Sequence, residues 1–355
     1  MVKEISTLEL KQYLTQACDM ALAGAIEGET SYTNSFDLKV YEGGFAFIPR
    51  MPAAYVVDYD LYKKIFKIAN ISLYPLFTLL PQSGMYIIPL KGTLSSQRAL
   101  FFPWRKGIAK RLELQNISQV AHHTLPLMQN FAISLDEVTH IAIAGSTGSG
   151  KTYFLTYLLN ILKDQSNLTI IDPKIDTPAR WGRNHNVKTI IPEVGGSKAD
   201  YLAKINTILS EAENTILERQ QKLYINPAKS FSHEFIVIDE LLALTQSVPK
   251  QLKDSFFSLL TQIALLGRAT RVHLVMCSQR FDNTALPVVV RDQANLLVQL
   301  GPINHKTTQF LFPDLDTTGM VIPTGKGTGL IQAIGTNNSS EIRPFLAPTY
   351  GGLSI

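Results

Sequence analysis

The stretch from Thr139 to Leu162, THIAIAGSTGSGKTYFLTYLLNIL, constrains the fold more than any other part of the chain. Its residues Gly145, Ser146, Thr147, Gly148, Ser149, Gly150, Lys151 and Thr152 fit the phosphate-loop pattern G-x-x-x-x-G-K-[S/T]. Context gives the pattern its meaning. A short apolar run, Ile141 to Ala144, precedes it and has the size of a buried parallel strand. Phe154, Leu155, Leu158, Leu159 and Leu162 follow it at helical spacing. Strand, glycine turn and helix therefore come in the order a phosphate cradle needs. The glycines let successive backbone N–H groups turn toward phosphate oxygens, and the helix N-terminus adds partial positive charge at the same point. Lys151 is expected to reach the β- and γ-phosphates of ATP, and Thr152 to hold Mg²⁺ through its hydroxyl.

The remainder of the chain is ordinary for a soluble protein: 355 residues, 45% hydrophobic and 17% charged, enough for a large domain and a smaller one. A formal net charge of +4 is too small to mark a nucleic-acid binder by itself. Cys18 and Cys277 lie far apart, so neither a disulfide framework nor a metal-ligand spacing is present, which fits a reducing cytoplasm. The histidines are scattered, and the adjacent His122 and His123 read as surface residues. Glu4 and Glu9 interrupt any N-terminal leader pattern. The uncharged stretch between Lys67 and Lys91 is broken by Pro75, Pro81 and Pro89, so it reads as short strands around a Gln-Ser-Gly turn rather than a membrane span.

Two domains are expected, 1–127 and 128–355. The first is a small α+β domain. A helix over 6–27 opens on a Ser6/Glu9 capping box, and β-like runs such as Phe45–Ile48 and Tyr55–Val57 follow. Between Lys91 and Arg111 six basic residues and no acid surround Phe101, Phe102 and Trp104. That stretch suits nucleic acid or a membrane surface, or equally a solvated edge over a small core. The second domain alternates strands (168–171, 187–191, 235–239, 272–277, 296–300) with helices (198–224, 252–266), which predicts a mostly parallel α/β sheet.

Phe235-Ile236-Val237-Ile238 runs into Asp239-Glu240, the Walker B pattern. The strand is expected to deliver Asp239 to Mg²⁺ and Glu240 to an attacking water. The strand ending at Gln279-Arg280 offers an amide that could sense the γ-phosphate, and Arg268 precedes it in a position from which it could serve a neighbouring subunit.

The set GSTGSGKT, IIDPK, FIVIDEL and GRATRVHLVMCSQR resembles the motor domain of the FtsK/SpoIIIE family of DNA translocases, over roughly 133–348. The resemblance implies a RecA-like P-loop NTPase fold in a homo-hexameric ring that pulls double-stranded DNA through its centre. It also implies Lys151 and Thr152 as Walker A, Asp239 and Glu240 as Walker B, Gln279 as sensor and Arg268 as the trans-acting arginine. Lys250 and Lys253 fall near a DNA-facing loop after Walker B, and Arg280 is a further candidate contact. The membrane helices and winged-helix domain of the chromosome translocases have no counterpart in this reading. Compact relatives on conjugative plasmids and integrative elements fit better, with packaging and secretion ATPases as alternatives. On that basis the N-terminal domain is expected to meet a membrane or relaxase partner.

Overall fold

Short alternating runs build the first sheet of this protein, and continuous apolar runs build the second. The computed structural model describes residues 5–22, 35–51, 56–82, 84–92, 94, 97–282, 285–336 and 341–351. They fall into two compact units. The first comprises Met1–Ala109, Asp314–Ile322 and Glu341–Arg343; the second comprises Lys110–Pro313, Pro323–Ser340 and Pro344–Ile355. Among the described residues, no helix is long and apolar enough to cross a membrane.

In the first unit, α1 (Thr7–Leu22) starts at the capping box. The Ser6 hydroxyl accepts from the Glu9 N–H at 3.2 Å, and the Glu9 carboxylate accepts from the Ser6 N–H at 2.9 Å. Residues 23–27 of the predicted helix, and Tyr55 of the predicted strand, lie outside the described residues. An antiparallel sheet follows, made of β1 (Phe36–Tyr41), β2 (Gly44–Pro49), β3 (Phe77–Leu79), β4 (Ile87–Pro89) and β5 (Arg98–Lys106), with β5 pairing β2, β3 and β4. Between β2 and β3 runs α2 (Tyr59–Leu73), a helix where the sequence reading expected strands to begin. Asp58 caps it by accepting the Leu61 N–H at 2.9 Å, and Leu61, Ile65, Ala69 and Leu73 recur at i, i+4 on its buried face.

The aromatic side chains of the basic stretch are core, not contact surface. Along β5 the inward positions Leu100, Phe102 and Trp104 are buried at period two, while Arg98, Arg105 and Lys106 are exposed. Tyr62 stacks on Phe102 with centroids 4.4 Å apart, and Phe102 stacks on Phe45 at 4.7 Å. Trp104 Nε1 donates to the Glu42 carbonyl at 2.9 Å, and the Tyr62 hydroxyl donates to the Phe101 carbonyl at 2.8 Å. Phe102 and Trp104 are therefore withdrawn from any base or lipid, and of the two readings open for this stretch the structure supports the charged edge over a small core.

The second unit contains, in chain order, β6 (Glu113–Leu114), β7 (Thr124–Met128), β8 (Phe131–Ser134), β9 (Ile141–Gly145), α3 (Lys151–Leu162), β10 (Ser166–Ile171), α4 (Thr177–Asn184) and β11 (Lys188–Ile190). Then come α5 (Lys198–Ile225), β12 (His233–Ile238), α6 (Leu241–Thr245), α7 (Lys250–Thr270), β13 (Val272–Ser278), α8 (Val288–Asp292), β14 (Leu296–Leu300), α9 (His305–Thr308), β15 (Thr328–Ala333), β16 (Arg343–Leu346) and β17 (Thr349–Tyr350). The main sheet has the order β11-β10-β12-β13-β9-β14-β15-β16. It is parallel from β11 to β14, and β15 joins antiparallel. Every residue of β9, β13 and β14 is buried, which is why these strands read as mostly apolar runs, interrupted only by His273, Ser278 and Gln299. The fold is the expected α/β P-loop architecture with a mostly parallel sheet.

Truncating Phe102 to Ala should destabilise the first unit by about 3–5 kcal/mol. Lys106→Ala, on the exposed end of the same strand, should stay within about 0.5 kcal/mol. Chemical denaturation of the two variants checks the assignment, and equal effects would return the aromatics to the surface.

Candidate nucleotide site

The P-loop strand β9 sits between β13 and β14, so its C-terminal end is walled on both sides. Ala144 is in register with Ser278 on one neighbour and Gln299 on the other. The loop then turns on two left-handed glycines, Gly148 (φ 79°) and Gly150 (φ 98°). A side chain at Gly150 would come within 3.0 Å of the Gly327 backbone, whose N–H donates to the Ser149 carbonyl at 2.9 Å. The segment before β15 therefore braces the loop from behind. Arg111 fixes that brace by donating to the carbonyls of Lys326, at 3.0 Å, and of Ala347.

Glu240 is the centre of the charge arrangement. Its side chain is almost wholly buried, and its Oε2 lies 3.3 Å from Lys151 Nζ and 2.9 Å from Lys174 Nζ. Its Oε1 accepts the Gln279 N–H at 3.3 Å. Burial works to raise the Glu240 pKa, but the Lys174 hydrogen bond and the two lysine charges outweigh it and hold the carboxyl below its ordinary value. Glu240 adopts a left-handed backbone, φ 59°, at the junction of β12 and α6. That conformation is uncommon for a residue with a Cβ and is held here by surrounding contacts.

Asp239 behaves differently. Burial pushes its carboxyl up to about 6, only partly countered by Lys151 and reinforced by Asp172. Its Oδ1 is buried without a hydrogen-bond partner, as are Ser149 Oγ, Ser278 Oγ and Gln299 Oε1 at the neighbouring strand ends and loop. Unpartnered buried oxygens at the mouth of a phosphate loop fit a ligand that supplies cationic and polar partners. Thr152, half-buried in the first turn of α3, and Asp239 are the oxygen donors that could hold a hard divalent cation such as Mg²⁺.

Lys174 is the residue the sequence reading noticed in Asp-Pro-Lys but gave no role. The buried Asp172 holds that turn together by accepting the N–H groups of Lys174 and Asp176, each at 2.9 Å, and of Ala179 at 3.1 Å. This aims the Lys174 ammonium at Glu240. Gln279 is exposed and meets Glu240 through its backbone. Arg268 is exposed near the C-terminal end of α7, beside the start of β13, whereas the P-loop lies past the end of that strand. Seven residues at about 3.3 Å each put roughly 20 Å between them, beyond reach within one chain. Ser146 and Thr147 are exposed on the loop.

The expected loop for Lys250 and Lys253 is corrected: both lie in the first turn of α7, where Pro249 precedes the helix. A proline with fixed φ pre-organises a helix start, so the helix begins at Lys250. Lys250 is exposed, and Lys253 lies over the Phe257 ring at 5.4 Å. Arg280 is exposed and 3.6 Å from Asp282.

Fold and site together define a domain of P-loop NTPase architecture, and its sequence is similar to those of HerA and FtsK proteins. A family model described as the central domain of the helicase HerA matches residues 127–176. The FtsK domain-containing protein YdcQ of Bacillus subtilis (strain 168) is 27% identical over 199 residues, covering 54% of this chain and 40% of that protein. The DNA translocase FtsK of Helicobacter pylori (strain J99) is 27% identical over 229 residues, covering 61% of this chain and 26% of that one. The chain thus matches less than half the length of either relative. The pCW3 conjugation coupling protein TcpA, solved as a monomer form with ATPγS, shares the fold over 94% of each chain with a TM-score of 0.57 and 16% identity.

The Asp239 carboxyl makes a signed prediction. Its pKa in the fold, about 6, exceeds the ordinary 3.8, so between those values the folded state binds more protons than the unfolded state. Stability therefore falls as pH rises through that window, by on the order of 3 kcal/mol when complete. Without nucleotide or Mg²⁺, Asp239→Asn should be more stable than the wild type at pH 7.5, and the gap should close as pH falls below about 4. Denaturant titrations of both proteins across this range test the sign.

Proposed function

We propose that this protein is an ATP-driven translocase of double-stranded DNA, working as a homo-hexameric ring in the transfer of a mobile element, as a coupling ATPase. The observation that carries the enzymatic part is the Glu240 carboxylate, buried, held ionised and shared between Lys151 and Lys174. Bound triphosphate draws Lys151 to its β- and γ-oxygens, leaving Glu240 to Lys174 and the Gln279 N–H. An ionised carboxylate in that position accepts a proton from water as its oxygen bonds the γ-phosphorus and the bridge to the β-phosphate breaks. Mg²⁺, held by Thr152 and Asp239, would neutralise phosphate charge. Duplex DNA as substrate is supported by likeness to a DNA translocase over 61% of the chain, and transfer by the fold shared with a conjugation coupling protein. A shared site is supported by Arg268, which is too far from its own P-loop to act there. The first unit, with its charged β5 edge, serves a membrane or relaxase partner in this reading.

The deciding experiment is the ATPase rate with and without long duplex DNA. Stimulation by DNA, insensitive to sequence and weakened steeply by salt, is expected because a tracking motor holds phosphates rather than bases. A rate indifferent to DNA would overturn the substrate and favour a polypeptide-moving ATPase. Glu240→Gln should bind nucleotide yet lose turnover by about 10²-fold or more.

Arg268→Ala should likewise keep nucleotide binding and lose hydrolysis. Mixing it with Glu240→Gln protein should restore partial activity, because one interface then carries both intact groups. No recovery on mixing would count against interleaved subunits. Lys250→Ala with Lys253→Ala should abolish DNA stimulation and spare the basal rate, read in the same assay.

A further inference from the structure

At the end of the sheet opposite the P-loop, a run of hydrogen bonds ends on two groups that both accept. His273 Nδ1 lies 2.8 Å from the Thr139 carbonyl oxygen. A carbonyl has no proton to give, so this nitrogen carries one. His273 is 2% exposed with both ring nitrogens bonded, and as a neutral ring it leaves Nε2 a bare lone pair. That lone pair lies 2.9 Å from His233 Nδ1, which must donate to it. A neutral His233 then has no second proton, yet its Nε2 lies 3.1 Å from Asp136 Oδ1. His140, nearby in the same core, shows the closed alternative. Its Nδ1 accepts the Leu274 N–H at 2.9 Å and its Nε2 donates to the Ala264 carbonyl at 3.0 Å, so one proton suffices.

A third donor faces the open pair. His123 Nδ1 is 4.0 Å from Asp136 Oδ2, and one ligand atom from each of His123, Asp136 and His233 lies within 4.8 Å of the others. The three come from separate elements: His123 immediately before β7, Asp136 in the short 3₁₀ turn Leu135–Glu137, and His233 at the start of β12. His123 is held at φ 58° while its carbonyl accepts the Leu135 N–H at 2.8 Å and its own N–H donates to Gln165. That is a strained backbone kept in place by bonds on both sides. Arg271 lies 2.8 Å from Asp136 Oδ1 and donates to the Phe231 carbonyl at 3.0 Å, which leaves Oδ2 turned to His123.

We infer that His123, Asp136 and His233 form a binding site for a late first-row divalent transition metal, Zn²⁺ being the representative ion. Two imidazole nitrogens and one carboxylate oxygen suit such an ion better than Mg²⁺ or Ca²⁺. The His233–His273–Thr139 run is the outer shell that fixes the ligand tautomer, and Arg271 orients the carboxylate while its charge restrains affinity. His123 and Asp136 are exposed, so water completes the coordination. The six residues of β12 separate this site from Asp239 by about 20 Å, outside the ATPase chemistry. The ion would tie the segment that leads into the P-loop strand to the base of the Walker B strand.

The test uses the full chain, stripped of metal, without nucleotide, in millimolar Mg²⁺ to saturate hard-cation sites. Co²⁺ is titrated and followed by its visible absorption, then displaced with Zn²⁺. A single saturable equivalent with bands of a nitrogen-liganded low-symmetry site is expected. His123→Ala, at an exposed position, should fold normally by circular dichroism and weaken binding about 100-fold. Asp136→Asn should do the same. No saturable Co²⁺ or Zn²⁺ binding by the wild type, or binding that both variants leave unchanged, would overturn the site.

Discussion

One buried carboxylate between two ammonium groups sets the terms for this nucleotide site. Removing a charge from water costs several kcal/mol, and Glu240 is tolerated because Lys151, Lys174 and a backbone N–H satisfy it. The arrangement is asymmetric. Lys174 is fixed to Glu240 by the Asp172-organised turn, whereas Lys151 stands at the start of α3 with phosphate groups as its other natural partners. A triphosphate therefore changes the number of charges on Glu240 without moving the glutamate from its strained backbone. A cation accompanying the triphosphate would meet the unpaired Asp239 oxygen, and the Ser149 hydroxyl could donate to a phosphate oxygen. Charge and polar satisfaction both favour the loaded state, which is how a site built at some cost to the empty protein gains affinity for its ligand.

The parallel sheet and its loop were legible in the sequence because a strand covered on both faces is mostly apolar, as β9, β12 from Phe235 on, β13 and β14 are, with only His273, Ser278 and Gln299 interrupting. Asp239 and Glu240 could be placed since they follow such a run directly. Lys174 could not be paired with Glu240: the contact joins residues 66 apart through the register of β10 beside β12. The α2 helix was hidden by its own neighbourhood, where three prolines and a lack of charge outweighed the Leu61-Ile65-Ala69-Leu73 period and the Asp58 cap. Composition left Phe102 and Trp104 open between a binding patch and a core under a charged edge, and the period of two through Leu100, Phe102 and Trp104 points them inward. The histidine cluster leaves no trace in spacing because its members are 13 and 97 residues apart and meet only at strand ends.

The two ends of the sheet divide the labour. At the C-terminal ends of the strands lie the P-loop, Asp239, Glu240 and Gln279; at the other lie Arg268, Arg271 and the histidines. Strands β12 and β13 pair without a register shift from Glu234 beside Val272 to Ile238 beside Met276, so they act as struts rather than hinges.

The first unit is not a continuous stretch of chain. It takes its last segments from Asp314–Ile322 and Glu341–Arg343, and these make internal bonds: Asn70 Nδ2 donates to the Gly319 carbonyl at 2.6 Å, and Glu341 lies 3.6 Å from Arg105. During synthesis the ribosome delivers residues 1–109 long before those pieces exist. At about 5–20 residues per second, the N-terminal part waits on the order of ten seconds or more for its missing segments. Throughout that interval the Asn70 amide lacks its Gly319 carbonyl and Arg105 lacks Glu341. The chain must run through most of the second unit before it reaches the segments that complete the first, so the order of translation and the order of completion are not the same.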